Sequence, residues 1–450
     1  MKNKIKKQQI IRRCQAMALA GFISAGTWLP SFTALAAGPG DPGNTVTSQV
    51  SSGGPGNSGN SGNSAGNQNG AASQRSQENP NAWKKVNGVY QMPDGSAIDR
   101  VLFRGIDVSR WQGEIDWNQV AADDVSFVML GTRSKGAVDP YFHRNIQQAS
   151  AAGVKVGVYI YSLAMTPEMA VQEADFVLDL IHDYPVSYPV AFDMEDSTQG
   201  SLSKDELAAI ANAFCRRISD AGYYPIIYAN DNWLANKLDM SKMDYPVWVA
   251  RYSNRPAYPN PVMWQASSTG AVNGINGNVD IDFQFKDFTS VIPANTWRTI
   301  GGSTYYYQNY VKQKNAWIQD EGSWYYMDGN GLASRGWITL SGQSYYLDEN
   351  TGKMATGWKS DGGKWYYLGS SGAVASGWIN DNGTWYYSSK EGVMQTGWLE
   401  EGGRRYFLND NGAMATGWRQ MDGAWYYFEG SGAMAVGMVQ VNGFSYYLDP

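Results

Sequence analysis

Carboxylates are the side chains whose types and spacing point to chemistry in this chain. Phe192-Asp193-Met194-Glu195-Asp196 closes an apolar run. Alternation along a strand puts Asp193 and Glu195 on one side, with Cα atoms about 6–7 Å apart. Gly105-Ile106-Asp107-Val108-Ser109 ends another such run, and Val279-Asp280-Ile281-Asp282 lies in the last one. Cleaving a glycosidic bond takes a proton donor for the leaving oxygen and a negative charge or nucleophile to support the oxocarbenium-like state. Carboxylates gathered in one cleft raise the pKa of one member, which then holds its proton near neutral pH. Each has a plainer reading when taken alone. A D-x-E is common, Asp107 can cap a loop, and Asp280 or Asp282 can be solvated turn residues. Their joint position on predicted strands is what points to a glycosidase.

Other chemistries find little support. His143 and His182 are the two histidines, far apart and without metal-ligand spacing, so no metal site is expected. Cys215 falls on the apolar side of a predicted helix with no histidine beside it, which reads as a structural thiol. No glycine-rich phosphate loop follows a strand, and no cofactor is expected. A net charge of -6 argues against a nucleic-acid partner.

The elements that must position these carboxylates lie between about 100 and 290. Candidate strands are 103–108, 126–132, 155–161, 188–194, 224–229, 246–250, 261–266 and 279–285. Several are continuous apolar runs, as strands buried on both faces require. Helices alternate with them. Thr166-Pro167 reads as a cap with proline in the first turn, ahead of an apolar face of Val171, Ala174, Val177, Leu178 and Ile181. Ser203-Lys204-Asp205-Glu206 is a capping box before Leu207, Ile210, Ala211, Phe214 and Ile218, and Gly222 is the stop. The pattern predicts an α/β fold: an irregular, TIM-like (β/α)-barrel of about five βα units plus three closing strands too closely spaced for full helices. In such a barrel the C-terminal strand ends face the active-site mouth.

The flanks differ in kind. Residues 1–36 read as a signal peptide, with a basic start, an apolar run and Ala34-Leu35-Ala36 as the cleavage pattern. No membrane association is expected once it is removed. Residues 37–82, rich in Gly, Ser and Asn, read as a disordered linker. Residues 83–290 form the expected catalytic unit, and 83–96 loosely echo the C-terminal repeat. From 297 to 450, Trp297, Trp317, Trp337, Trp358, Trp378, Trp398 and Trp418 recur every 20 or 21 residues, with Met438 in the next slot. Each unit reads approximately W-x4-G-x-W-Y-Y-x4-G-x-M-x-x-G, two short aromatic strands punctuated by glycine. A lone hairpin is marginal in water, so the copies must stack. A β-hairpin solenoid of seven full units and a truncated eighth is expected.

Residues 103–288 resemble glycoside hydrolase family 25, the Chalaropsis-type lysozymes. The resemblance runs through GIDVSRWQGEIDW, FVMLGTRSKG, AGVKVGVYIYS, YPVAFDMED, YPIIYAN, VWVARY, MWQ and VDIDF in order. It implies an N-acetylmuramidase in which Glu195 is the general acid. Asp193 stabilises the positive charge or orients the substrate acetamido group, and Asp107 and Asp280 set protonation and bind sugar. Asp282 competes for the last role. Tyr159, Tyr228, Trp248 and Trp264 match family positions and serve either as sugar platform or as barrel core. Ile160 stands where many members have His. The repeats resemble choline-binding or cell-wall-binding modules, in which two Trp and a Tyr from neighbouring hairpins cage a quaternary ammonium. The resemblance implies wall-ligand roles for Trp324, Trp337, Trp358, Trp365, Trp378, Trp385, Trp398, Trp418 and Trp425. The second aromatic slot is Trp324, Trp365, Trp385 or Trp425 in four units, and Thr304, Ser344, Arg405 or Ser445 in the others. Related repeats occur in glucan-binding proteins, so choline is one candidate ligand among several.

The leading reading is a secreted, wall-associated enzyme of a Gram-positive bacterium or its phage. It would cleave the β-1,4 bond between N-acetylmuramic acid and N-acetylglucosamine in peptidoglycan while its repeats hold a wall polymer, choline-decorated or otherwise. The alternatives are a wall-binding protein or adhesin with an inert barrel, and a glycosidase acting on another amino-sugar polymer.

Overall fold

The computed structural model describes residue 83 and residues 85–449, except 135 and 253. The expected signal peptide and all of the linker lie outside the described residues.

Eight strands close a barrel in sequence order: β1 (Phe103–Val108), β2 (Phe127–Gly131), β3 (Lys155–Tyr161), β4 (Val186–Asp193), β5 (Pro225–Asn230), β6 (Val247–Ala250), β7 (Met263–Gly270) and β8 (Val279–Gln284). Five helices follow the first five strands: α1 (Trp117–Ala122), α2 (Phe142–Ala151), α3 (Pro167–Ile181), α4 (Lys204–Asp220) and α5 (Asp231–Asn236). The local signals act as expected. Thr166 caps α3 through the Met169 N–H, and Ser203 and Glu206 form the capping box of α4. Gly222, just past α4, has φ +86°, and a Cβ there would meet Arg298 Cγ at 3.1 Å. On α3 the buried face includes Ala170 and Glu173, while Val171 is half-buried. Glu173 is buried because Arg133 Nη2 donates to it at 2.6 Å, joined by Ser162 and the Leu163 N–H. Cys215 is fully buried, and burial pushes its thiol pKa up.

Strands β1 to β7 are parallel, but β8 runs antiparallel to both neighbours, β7 and β1. That reversal matters for the site. The start of β8, rather than its end, reaches the mouth of the barrel, and Asp280 sits directly across the ladder from Asp107.

Alternation divides the side chains into two cores. Ile106, Val128, Leu130, Val158, Phe192, Ile227 and Val249 point outward and pack beneath the helices. Phe127, Met129, Tyr188, Ile226, Tyr228, Trp248 and Met263 fill the barrel interior. Phe127 stacks on Tyr188 at 5.1 Å, and Phe288 packs edge-on against Tyr188, so the N-terminal end of the interior is apolar.

Beyond the barrel, eight antiparallel hairpins follow, from Thr296–Ile300 with Ser303–Gln308 to Gly437–Val441 with Phe444–Leu448. The eighth unit is truncated as expected, stopping before the G-x-M-x-x-G segment, yet its two strands still pair, with Met438 opposite Tyr447. Met327, Leu347, Leu368, Leu408 and Phe428 are buried within the array, and Tyr306, Ile318 and Met327 form one cluster across its first two hairpins. Residues 83–92 do not join this array. Trp83 packs edge-on against Trp264, and Tyr90 lies 5.1 Å from Phe283 on the barrel.

Candidate active site

At the C-terminal strand ends opens a cleft of about 420 Å³, lined in part by Asp107, Asp193, Glu195 and Asp280. Asp107 comes from the end of β1, Asp193 ends β4, Glu195 follows it in the loop, and Asp280 opens β8. Four of the five candidate carboxylates named from the sequence therefore share one mouth.

Each carboxyl differs in surroundings. Asp193 lies between Tyr161 and Tyr228 in the ladder. Its Oδ1 is buried and has no hydrogen-bond partner among the described residues. Burial first, and the Glu195 charge second, raise its pKa well above the ordinary aspartate value. Glu195 is raised too, by burial, while Asn230 Nδ2, which donates to its Oε2 at 3.2 Å, opposes the shift. Asp107 accepts from Gln265 Nε2 at 2.7 Å. Its pKa is raised by burial and then by the charges of Asp280 and Asp282. Burial pushes Asp280 up to about 6. Asp282 is raised as well, by burial and then by the charge of Asp280, so the titrations of these three groups are linked.

Asp282 faces the interior but does not line the cleft. It is fully buried one step below Asp280 and accepts from Trp248 Nε1 at 2.9 Å. Tyr159, Tyr228 and Trp248 do line the cleft, with Trp248 edge-on to both tyrosines at 6.2 and 4.7 Å. Trp248 is only 1% exposed and forms the floor rather than an open platform. The expectation for Trp264 needs correction. On β7 the inward residues are Met263 and Gln265, so Trp264 points outward, 1% exposed, with Nε1 donating to the Arg251 carbonyl.

Among the cleft residues outside the expected set, Gln265 and Trp111 matter most. Gln265 ties the site together: Tyr228 and Tyr252 donate to its Oε1 at 2.8 and 3.0 Å while its amide donates to Asp107. Its signal was parity on a strand that ends at the mouth. Trp111, from the turn after β1, lines the rim and is 78% exposed, with the Arg110 guanidinium 4.3 Å from its ring. A tryptophan this open beside a polar cleft offers a flat face to a ring-shaped ligand. The arrangement can hold a proton on one carboxyl facing the cleft and present a second carboxyl on the same side.

The Glycosyl hydrolases family 25 model matches residues 106–275, across the strands that carry Asp107, Asp193 and Glu195. The uncharacterized protein YegX of Escherichia coli strain K12 is 33% identical over 189 residues, covering 40% of this chain and 68% of that protein. The chain belongs to glycosyl hydrolase family 25. A second relative in this family comparison, the autolytic lysozyme of Clostridium acetobutylicum, is 28% identical over 182 residues, 40% of this chain and 55% of that one. Choline-binding repeat models match 334–376, 375–416 and 415–450, and a cell-wall-binding repeat model matches 315–333. The solved structure of CbpJ from Streptococcus pneumoniae is similar at 43% identity, covering 33% of this chain and 54% of that one, with a TM-score of 0.31. The chain thus spans about half the length of that protein and of the clostridial one.

The repeats place their aromatics at junctions between hairpins. Trp378 and Trp385 of one unit meet Tyr406 of the next, with Met414 beside them, around a space of about 350 Å³. The slot tryptophans are open, Trp385 being 42% exposed, whereas the second tyrosine of each pair packs inward or is half-buried in most units. Trp317, left out of the expected ligand set, heads a junction of this kind with Tyr345 at 5.1 Å. Trp337 and Trp398 head junctions whose slots hold Ser344 and Arg405.

Proposed function

We propose that this chain is a secreted peptidoglycan hydrolase. It cleaves the β-1,4 bond between N-acetylmuramic acid and N-acetylglucosamine while its repeats hold the cell wall. The observation that carries this reading is the meeting of Asp193 and Glu195 with the Asp107–Asp280 pair in one cleft. In this reading Glu195, whose pKa burial raises and which opens to the groove, donates to the leaving oxygen. Asp193 Oδ1, buried and unpartnered, accepts from the N–H of the substrate acetamido group and so orients its carbonyl oxygen toward the anomeric carbon. Asp107 and Asp280, both with raised pKa values, limit the negative charge that the mouth accumulates. Trp111 and Tyr159 contact the sugar rings. The junction aromatics bind a quaternary ammonium or another wall decoration, and several weak sites acting together hold the enzyme at the polymer. The export signal and the linker, residues 1–82, belong to the same reading.

Glu195→Gln tests it on purified walls. Lysis is expected to fall at least 100-fold while wall binding is unchanged. The new reducing ends released by the parent chain are expected to be muramic acid. Glucosamine ends, or an active Glu195→Gln variant, would overturn the assignment.

A further inference from the structure

The seven junctions between consecutive hairpins share one plan. A first-strand tryptophan meets, edge-on, a tyrosine of the next hairpin, as Trp378 does Tyr406 at 4.8 Å and Trp398 does Tyr426 at 5.2 Å. The connecting segment then hydrogen-bonds back to the slot residue. Met414 N–H donates to the Trp385 carbonyl at 2.7 Å, and Met434 N–H donates to the Arg405 carbonyl at 2.8 Å. The junction headed by Trp398 thus has the same tryptophan, tyrosine and methionine as the one headed by Trp378. It differs in its slot, which holds Arg405 in place of a second tryptophan.

We propose that the Trp398–Tyr426 junction is a cation site filled by the chain's own Arg405, and is therefore closed to external quaternary ammonium ions. This rests on the reading of the array as a quaternary-ammonium binder. The Arg405 guanidinium carbon lies 4.7 Å from the centroid of the Trp398 ring, within the range of cation–π attraction. Glu400, its partner across the ladder, steadies it with Oε1 3.6 Å from Nε. A tethered cation has an effective concentration in the millimolar range or above, so a weakly bound free cation does not displace it. Its positive charge also repels a second cation. Ser344 and Thr304 leave their junctions short of a wall, but neither occupies the site. Arg405 changes the array from a run of equivalent sites into one interrupted between the Trp378 and Trp418 junctions, and it sets which decorations of a polymer the array engages together.

Titrating the full chain with tetramethylammonium and with choline tests this, with stoichiometry from calorimetry and the Trp398 indole N–H followed by NMR (assigned through Trp398→Phe). Four sites are expected, at the junctions whose slots hold Trp324, Trp365, Trp385 and Trp425, with the Trp398 signal unmoved. Arg405→Trp is expected to add a fifth site and to make the Trp398 signal respond. Arg405→Gln, a smaller change that keeps the hairpin, vacates the junction without adding a wall, so its Trp398 signal is expected to respond only weakly, as at the Ser344 and Thr304 junctions, without adding to the four sites that calorimetry counts. A wild-type chain whose Trp398 responds to the probe overturns the proposal, as do variants that leave Trp398 silent. A wild-type chain that binds neither probe at any junction overturns instead the reading of the array on which the proposal rests.

Discussion

Replacing Asp280 by asparagine should stabilise the barrel at neutral pH while impairing the enzyme. Asp280 faces Asp107 across the ladder, and burial lifts its pKa from the ordinary 3.8 to about 6. The folded state therefore binds this proton more tightly than the unfolded chain does. Below about pH 4 the group is protonated in both states and costs nothing. Between about pH 4 and 6 the folded state must hold a proton or a poorly solvated charge, stability falls, and above about pH 6 the loss is complete. A shift of about two units corresponds to about 3 kcal/mol at about 1.4 kcal/mol per unit. Solvent reaches part of the side chain, and its titration is linked to those of Asp107 and Asp282, so about 1–2 kcal/mol is the expected size. For a domain of this length that is about 3–6 °C in the barrel transition. Calorimetry of parent and Asp280→Asn chains at pH 7.5 and pH 3.5 reads it directly. The gain should be present at the higher pH and vanish at the lower one. A variant no more stable than the parent at pH 7.5, or equally stabilised at both, would show that Asp280 is not held against its preferred charge.

Two other substitutions probe the residues that hold the cleft together. Gln265→Leu removes the donor to Asp107 and leaves the Tyr228 and Tyr252 hydroxyls without their acceptor. It should cost about 2–4 kcal/mol in thermal unfolding and lower kcat at least tenfold. Because the Gln265 hydrogen bond lowers the Asp107 pKa, the pH–rate profile should also move toward higher pH. Trp111→Ala removes an exposed ring without touching a carboxyl. It should raise KM on glycan strands about fivefold, with kcat within a factor of two and stability unchanged.

Much of this was legible because barrel strands announce themselves. Continuous apolar runs such as Phe127–Gly131 are buried along their whole length, and Asp107, Asp193 and Glu195 stand where such runs end. What escaped depends on facts that a single segment does not carry. Whether Trp264 or its neighbour Gln265 faces inward is decided by Trp83, 181 positions earlier, which packs on the outward side. Where Asp280 and Asp282 sit follows from the reversal of β8, which brings the first carboxyl to the mouth and sinks the second against Trp248. Trp111 gave no periodic signal, because it belongs to a turn. In the repeats the tryptophan spacing was plain, yet which residues share a junction depends on the connecting segment. Its bonds run back to the previous hairpin, from Met414 to Trp385 for example.

The first hairpin bears on how the whole enzyme works. Arg298 lies between the rings of Tyr223 and Tyr307 at 3.9 and 4.4 Å, Tyr307 donates to the His182 carbonyl, Lys312 pairs with Asp183, and Ile300 joins the barrel core. Blade and handle are thus forged in one piece at this joint. Once the distal hairpins grip a wall, the cutting edge does not sweep freely around a hinge there. On the proposed function, it works at a stand-off set by the length of the handle, and the bonds within reach are chosen by where the grip is taken.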